Sequence, residues 1–160
     1  MSIRFGIGVD VHPFVYGESL VLGGVNVPHI QGLAGYSDGD ALTHAVIDAL
    51  LGAAGLGDIG TQFPSSDEKY RGAASVGMLT QVVDMISEHD WQLQYVDSTI
   101  LAEQPLLGPY IGEIRVALAS AMHVTNDLVS VKATTTDGLG FVGRSQGIAC
   151  MAVATVETLT

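Results

Sequence analysis

Residues 36–60 read YSDGDALTHAVIDALLGAAGLGDIG, and this stretch decides the fold. From Asp40 to Ala54 it predicts a helix. Asp40, His44 and Asp48 recur at i, i+4 and i+8 and so form one polar stripe, flanked by Ala41, Leu42, Ala45, Val46, Ala49 and Leu50. The helix contains no Lys, Glu or Gln, so it has no solvated side and is expected to be buried. Ser37, with Asp40 three residues on, predicts a capping box at its start. The Gly/Asp/Pro/Ser-rich run Leu56–Gly72 that follows reads as a long functional loop.

Working outward, Ile3–Val11 reads as a strand, and Leu20–Val27 as a hairpin centred on Gly23-Gly24. Ala74–His89 is an amphipathic helix, Trp91–Leu101 a strand, and Pro109–Met122 a third long helix. Val129–Ala133 and the apolar, β-branched Gly147–Thr158 complete the strands. Alternating strands and helices of these lengths predict an α/β (α+β) chain with helices packed on one mixed sheet. With 160 residues and no repeat, linker or low-complexity run, residues 1–160 are expected to form one domain.

Charged residues are only 14% of the chain and hydrophobic ones 48%, yet no apolar run reaches the length of a membrane span. That balance predicts an obligate homo-oligomer that hides apolar surface between subunits. A net charge of −11 argues against nucleic acid and anionic membranes as partners. The lone Cys150 excludes an intrachain disulfide and reads as a core thiol. The N-terminal residues resemble neither a signal peptide nor a transit segment, so a cytoplasmic location is expected.

Two constellations carry chemistry. Asp10 and His12 stand two apart on a strand and therefore project to one side. Joined by His44, they offer two nitrogens and one oxygen, the donor set of a catalytic zinc site with an open fourth position. A buried, hydrogen-bonded core histidine is the alternative for His44. The second constellation is KATTTDGLGFVGR (132–144), where three hydroxyls run into a glycine-rich turn bracketed by two of the chain's six basic residues. It suits phosphate oxygens, with Asp137 economical there only if it holds a second cation. A polar turn is its plain alternative. GDIG (57–60) through FPSSD (63–67), and AEQPLLGP (102–109), read alone as a surface loop and a strand exit.

Taken together, GIGVDVHPF (6–14), residues 36–60, VKATTTDGLGFVGR (131–144) and GIAC (147–150) resemble the 2-C-methyl-D-erythritol 2,4-cyclodiphosphate synthase family, from about Ile3 to Val156. The resemblance implies a mixed four-stranded sheet with helices on one face, assembled as a homotrimer with sheets inward and sites at the subunit junctions. It implies one zinc per chain on Asp10, His12 and His44, and magnesium or manganese on Asp137, arriving with substrate. Val11, Ser37, Asp58, Ile59, Gly60, Phe63, Pro64, Ser65, Ser66 and Asp67 would form the pocket for the methylerythritol phosphate end. Ala102, Glu103, Gln104, Pro105, Leu106, Leu107 and Gly108 would read cytosine. Thr134, Thr135, Thr136 and Asp137 would grip the α- and β-phosphates, with Thr135 nearest the reacting phosphorus and Phe141 and Arg144 close by. The implied activity is that of a lyase of the non-mevalonate pathway. It would convert 4-diphosphocytidyl-2-C-methyl-D-erythritol 2-phosphate to the cyclic diphosphate and release CMP. Tyr36 stands where the family usually has a catalytic histidine, and Leu106 where it commonly has lysine. Ser145-Gln146 replaces Gly-Glu and Met151 a frequent glutamate. Two rival readings are a homologue that binds zinc and nucleotide without turnover, and an isoprenoid-binding module with Arg144 as its anion contact.

Overall fold

The computed structural model describes residues 1–159. Strand β1 (Ile3–Val15) is followed by the hairpin β2 (Leu20–Leu22) and β3 (Val25–Val27), then by β4 (Gly32–Leu33). Helix α1 (Ala41–Ala54), the short α2 (Ile59–Gln62) and α3 (Ser75–Glu88) lead into β5 (Trp91–Leu101). Helix α4 (Ile111–Ala121), β6 (Val129–Thr134), the short α5 (Gly140–Gly143) and β7 (Gly147–Thr158) complete the order.

The main sheet is mixed and has five strands in the order β4-β1-β7-β5-β6, not the four expected. The extra strand arises because β1 runs on past His12, so that Phe14 and Val15 pair with Leu33 and Gly32. β1 and β7 are antiparallel over eleven residue pairs, from Ile3↔Glu157 to Pro13↔Gly147. β5 and β6 are parallel, joined through α4.

Helix α1 lies across the sheet with all but two of its residues buried. It approaches closely because Gly6 and Gly8 present no side chain. A Cβ on Gly8 would strike the Ala45 carbonyl, and one on Gly6 that of Ala49. Leu42, Ile47, Leu50 and Leu51 are fully buried around this seam, each stabilising by roughly 1.5–3 kcal/mol. The helix stops at Gly55, whose φ of 74° closes the last turn onto the Gly52 and Leu51 carbonyls.

Its start differs from the expected capping box. Asp40 is itself the cap, accepting from the Thr43 amide at 3.0 Å and the Thr43 hydroxyl at 2.7 Å, while Ser37 turns towards His44. Asp40 also accepts from the amides of Gly23 and Gly24, which locks the hairpin turn against the helix. Burial raises its carboxyl, and the bonds from Thr43 and Gly24 pull the other way.

The opposite face of the sheet is apolar and open. Phe5, Ile7, Val9, Val11, Tyr95, Met151 and Val153 all lie exposed there, with Phe5 71% accessible. No helix among the described residues is long and apolar enough to cross a membrane.

Candidate active site

Strand period places Asp10 and His12 on the same side of β1 as Gly6 and Gly8, facing α1. Because the glycines let the helix come close, His44 reaches them from the first turn and a half of α1. His12 Nε2 lies 2.7 Å from Asp10 Oδ2, and His44 Nδ1 lies 3.2 Å from the same oxygen. The two ring nitrogens are 3.3 Å apart. A tetrahedral ion with metal–ligand distances of about 2.0–2.1 Å has donors roughly 3.3 Å apart; the two His44 separations match this, and the 2.7 Å Asp10–His12 pair would open slightly to take one. The fit is also chemical: one carboxylate oxygen and two imidazole nitrogens, all within reach of a single ion.

Burial alone would raise the Asp10 carboxyl, but the hydrogen bond and charge of His12, with the His44 ring beside it, bring it down to about 2. Burial disfavours charge on His12, and the Asp10 bond and charge outweigh it, so that its value is raised. His12 Nδ1 is bound to the Ala34 carbonyl in a short contact, which fixes the proton there and turns Nε2 towards Asp10.

The cluster opens into a cavity of about 380 Å³ lined by Asp10, His12, Tyr36, Ser37, His44, Ile59, Gly60, Phe63, Pro64, Ser65 and Ser66. Tyr70 and Met78 complete the lining and were not foreseen. Asp58 and Asp67 are not in the wall. Asp58 caps α2 by accepting from the Thr61 amide, and Asp67 caps the next turn at Lys69. Val11 points to the open face of the sheet. The third member of the helical stripe, Asp48, accepts from the Ile59 amide at 2.7 Å and so ties the cavity wall to α1.

A second cavity, of about 540 Å³, lies between the exit of β5 and the end of β6. Ala102, Glu103, Pro105, Leu106, Leu107, Gly108, Thr134 and Thr135 line it, with Ile111, Val131, Lys132 and Ala133. Gln104, Thr136, Asp137, Phe141 and Arg144 are not in its wall. α5 follows immediately, a helical turn that the glycine-rich sequence disguised.

Both cavities open at one end of the sheet. Val11 pairs with Ala149, Ala149 with Leu101, and Leu101 with Thr134, a row of three strand spacings. The metal corner and the threonine corner are thus roughly 14 Å apart along it.

A mixed α+β sheet that delivers a carboxylate and two imidazoles to the mouth of one polar cavity, with a hydroxyl-rich turn at the other edge, defines a class of protein with a metal-competent site. The chain belongs to the YgbB family, whose model matches residues 3–157. It is 50% identical to the 2-C-methyl-D-erythritol 2,4-cyclodiphosphate synthase of Salinibacter ruber over 156 residues, covering 98% of this chain and 99% of that one. The synthase of Syntrophomonas wolfei is likewise 50% identical, over 97% of this chain and 99% of its own. Among solved structures, the bifunctional IspDF of Campylobacter jejuni superposes with a TM-score of 0.95 at 37% identity, over 99% of this chain and 43% of that one. IspF of Plasmodium falciparum in complex with CDP gives 0.86 at 28%, over 99% and 98%.

Proposed function

We propose that this chain is a single-domain phosphorus–oxygen lyase that closes 2-C-methyl-D-erythritol 2,4-cyclodiphosphate from 4-diphosphocytidyl-2-C-methyl-D-erythritol 2-phosphate and releases CMP. The observation that carries the reading is the Asp10–His12–His44 cluster at the mouth of its cavity, in a chain half identical to such synthases.

The attacking group is the substrate's own 2-phosphate. A phosphate monoester has its second pKa at about 6 and is already ionised at neutral pH, so no side-chain base is needed. The protein's task is to fold a flexible polyanion for in-line attack, an ordering that can supply roughly 7–11 kcal/mol. Asp10, His12 and His44 would hold zinc, and Asp137 would hold magnesium or manganese; bound there, the cations would neutralise the transferring phosphoryl group and its leaving phosphate. Two divalent cations also reconcile an anionic substrate with a protein of net charge −11. Ser37, Ile59, Gly60 and Phe63–Ser66 would seat the methylerythritol end, and Tyr36 would offer its hydroxyl near the transferring group. Ala102–Gly108 would receive the cytosine, with Thr134–Thr136 donating to the phosphates and Thr135 nearest the reacting one.

Assembly follows from the open face. Three copies with their sheets turned inward would bury Phe5, Ile7, Val9, Val11, Met151 and Val153. The threonine corner of one copy would then meet the metal corner of the next.

The test is direct: purified protein with substrate, zinc and magnesium should release CMP and the cyclic product in equal amounts. Zinc uptake and nucleotide binding without CMP would instead support a homologue that has lost turnover. One contact favours that second reading, since the Tyr36 hydroxyl is engaged with the Asp67 carbonyl at 3.3 Å.

A further inference from the structure

His44 has two sets of contacts, on opposite sides of its ring. Nδ1 faces Asp10 and His12 at 3.2 and 3.3 Å. Nε2, on the other side of the ring, lies 2.8 Å from Ser75 Oγ and 3.0 Å from Ser37 Oγ. Ser75, the first residue of α3, is completely buried. Its hydroxyl donates to Asp38 Oδ1 in a short bond, and its amide donates to Asp38 Oδ2 at 2.9 Å.

The direction of each proton follows from this geometry. A carboxylate only accepts, so the Ser75 hydroxyl must spend its hydrogen on Asp38. Its oxygen then meets His44 with a lone pair, and Nε2 must bear the ring hydrogen. In a neutral imidazole that leaves Nδ1 with a free lone pair, aimed at the cluster. Ser37 cannot impose the same choice. Its other hydrogen-bond partner is the Ser75 hydroxyl, 3.4 Å away, and no carboxylate fixes the direction of its O–H.

We infer that Asp38 and Ser75 are positioning residues for metal binding: through a buried Asp38–Ser75–His44 chain they hold His44 as its Nε2–H tautomer and present Nδ1 as a ligand. The inference rests on the zinc reading above and deepens it. It also couples the site to the cavity wall. The Asp38 amide donates to the Ala73 carbonyl at 3.1 Å, and the Gly72 amide to the Tyr36 carbonyl at 2.9 Å. The segment lining the cavity is therefore pinned at the same residue that orients the ligand.

The experiment uses the full chain and zinc alone. Zinc affinity is measured by competition with a chromogenic chelator, and the His44 ring nitrogens are read by their 15N shifts with and without zinc. The wild type should take one zinc per chain, with Nε2 protonated in both states and Nδ1 bound to the metal in the loaded one. Ser75→Ala should weaken zinc by about 10–100-fold, the usual cost of losing a partner behind a ligand. In its zinc-free form, the preference for Nε2–H should fade. Ser37→Ala should shift zinc affinity far less. A folded Ser75→Ala protein with wild-type affinity would overturn the inference. If that variant does not fold, the wild-type spectrum still decides, because a proton on Nδ1 with zinc on Nε2 overturns it equally. A wild type that takes up no zinc sinks the metal reading instead, while its zinc-free spectrum still tests the tautomer.

Discussion

The two corners of the site are built to different standards. At the metal corner every ligand side chain has protein partners behind or beside it, at 2.7–3.3 Å where distances are ordinary. At the threonine corner Thr136 Oγ1 makes one ordinary bond, to the Leu139 carbonyl at 2.7 Å, but most of the other contacts are long and most of the side chains exposed. Thr135 Oγ1 reaches Asp137 at 3.4 Å, the Thr136 amide reaches Glu103 at 3.4 Å, and Arg144 reaches Gln146 at 3.4 Å. The difference matches what each corner is proposed to hold. An ion demands donors fixed before it arrives, because a misplaced ligand leaves a coordination position empty. A diphosphate presents many equivalent oxygens, and a row of hydroxyls and amides can be ordered by it on binding.

This contrast can be broken from the metal side with the largest effect. His44→Ala should abolish zinc binding and CMP release while the fold persists. Its loss should exceed the about 10–100-fold expected for a residue behind a ligand. Full zinc occupancy by elemental analysis would refute the assignment. Next in size is assembly. Val9→Asp puts a charge in the middle of the open apolar face and should convert a trimer to monomers in sedimentation, with activity falling as each site loses its neighbour. A wild type that sediments as a monomer at micromolar concentration would remove the reason to join the two corners.

The two departures from the family and the threonine corner should respond in smaller steps. Tyr36→His should raise kcat and Leu106→Lys should lower KM, each by about fivefold if each contact contributes about 1 kcal/mol. Loss of activity in Tyr36→His would give the tyrosine its own role. Asp137→Asn should shift the magnesium dependence of turnover and leave zinc content alone; an unchanged magnesium titration would count against it.

The subtlest test is pH on the metal-free protein. Asp10 is held at about 2, below the ordinary 3.8, so its contribution to stability is present above 3.8 and is lost as pH falls through about 2. His12 is raised above 6.5, so its contribution is present below 6.5 and is lost as pH rises through the higher value. The pair therefore stabilises the metal-free fold most between 3.8 and 6.5. Zinc competes with the His12 proton, so the rise in Tm on adding zinc should grow from mildly acid to alkaline pH. A rise that does not change with pH would mean that His12 is not a ligand.

Much of the metal corner was legible because two periodicities point at it. A two-residue step in a strand and a four-residue step in a helix name Asp10, His12 and His44 directly. The same helical step misled about their neighbours. Asp40 and Asp48 look equivalent to His44 in sequence, yet one locks a hairpin and the other holds the Ile59 amide. Periodicity states which side of a helix a residue takes, not what lies opposite it. Ser75, Tyr70 and Met78 were invisible for a related reason, since they arrive from a segment whose path is set by tertiary contacts. The fifth strand, Gly32–Leu33, is too short to leave a pattern. The open apolar face was legible only as an excess in composition, and the sheet register shows where that excess sits.

Gly8 gives the molecule a mechanical gauge. It stands two residues before Asp10, and the carbonyl it would collide with belongs to Ala45, the residue after His44. The bare backbone contact therefore sets the gap that an ion on Asp10, His12 and His44 would have to bridge, as a feeler blade sets a clearance. Widening it by the thickness of one methyl group would move His44 and Asp10 apart by an appreciable fraction of a coordination bond, even in a protein that still folds. Zinc affinity would then act as a calibrated readout of helix-to-sheet spacing. A series at this seam, beginning with Gly8→Ala, could translate displacements far too small for most solution methods into changes in metal occupancy.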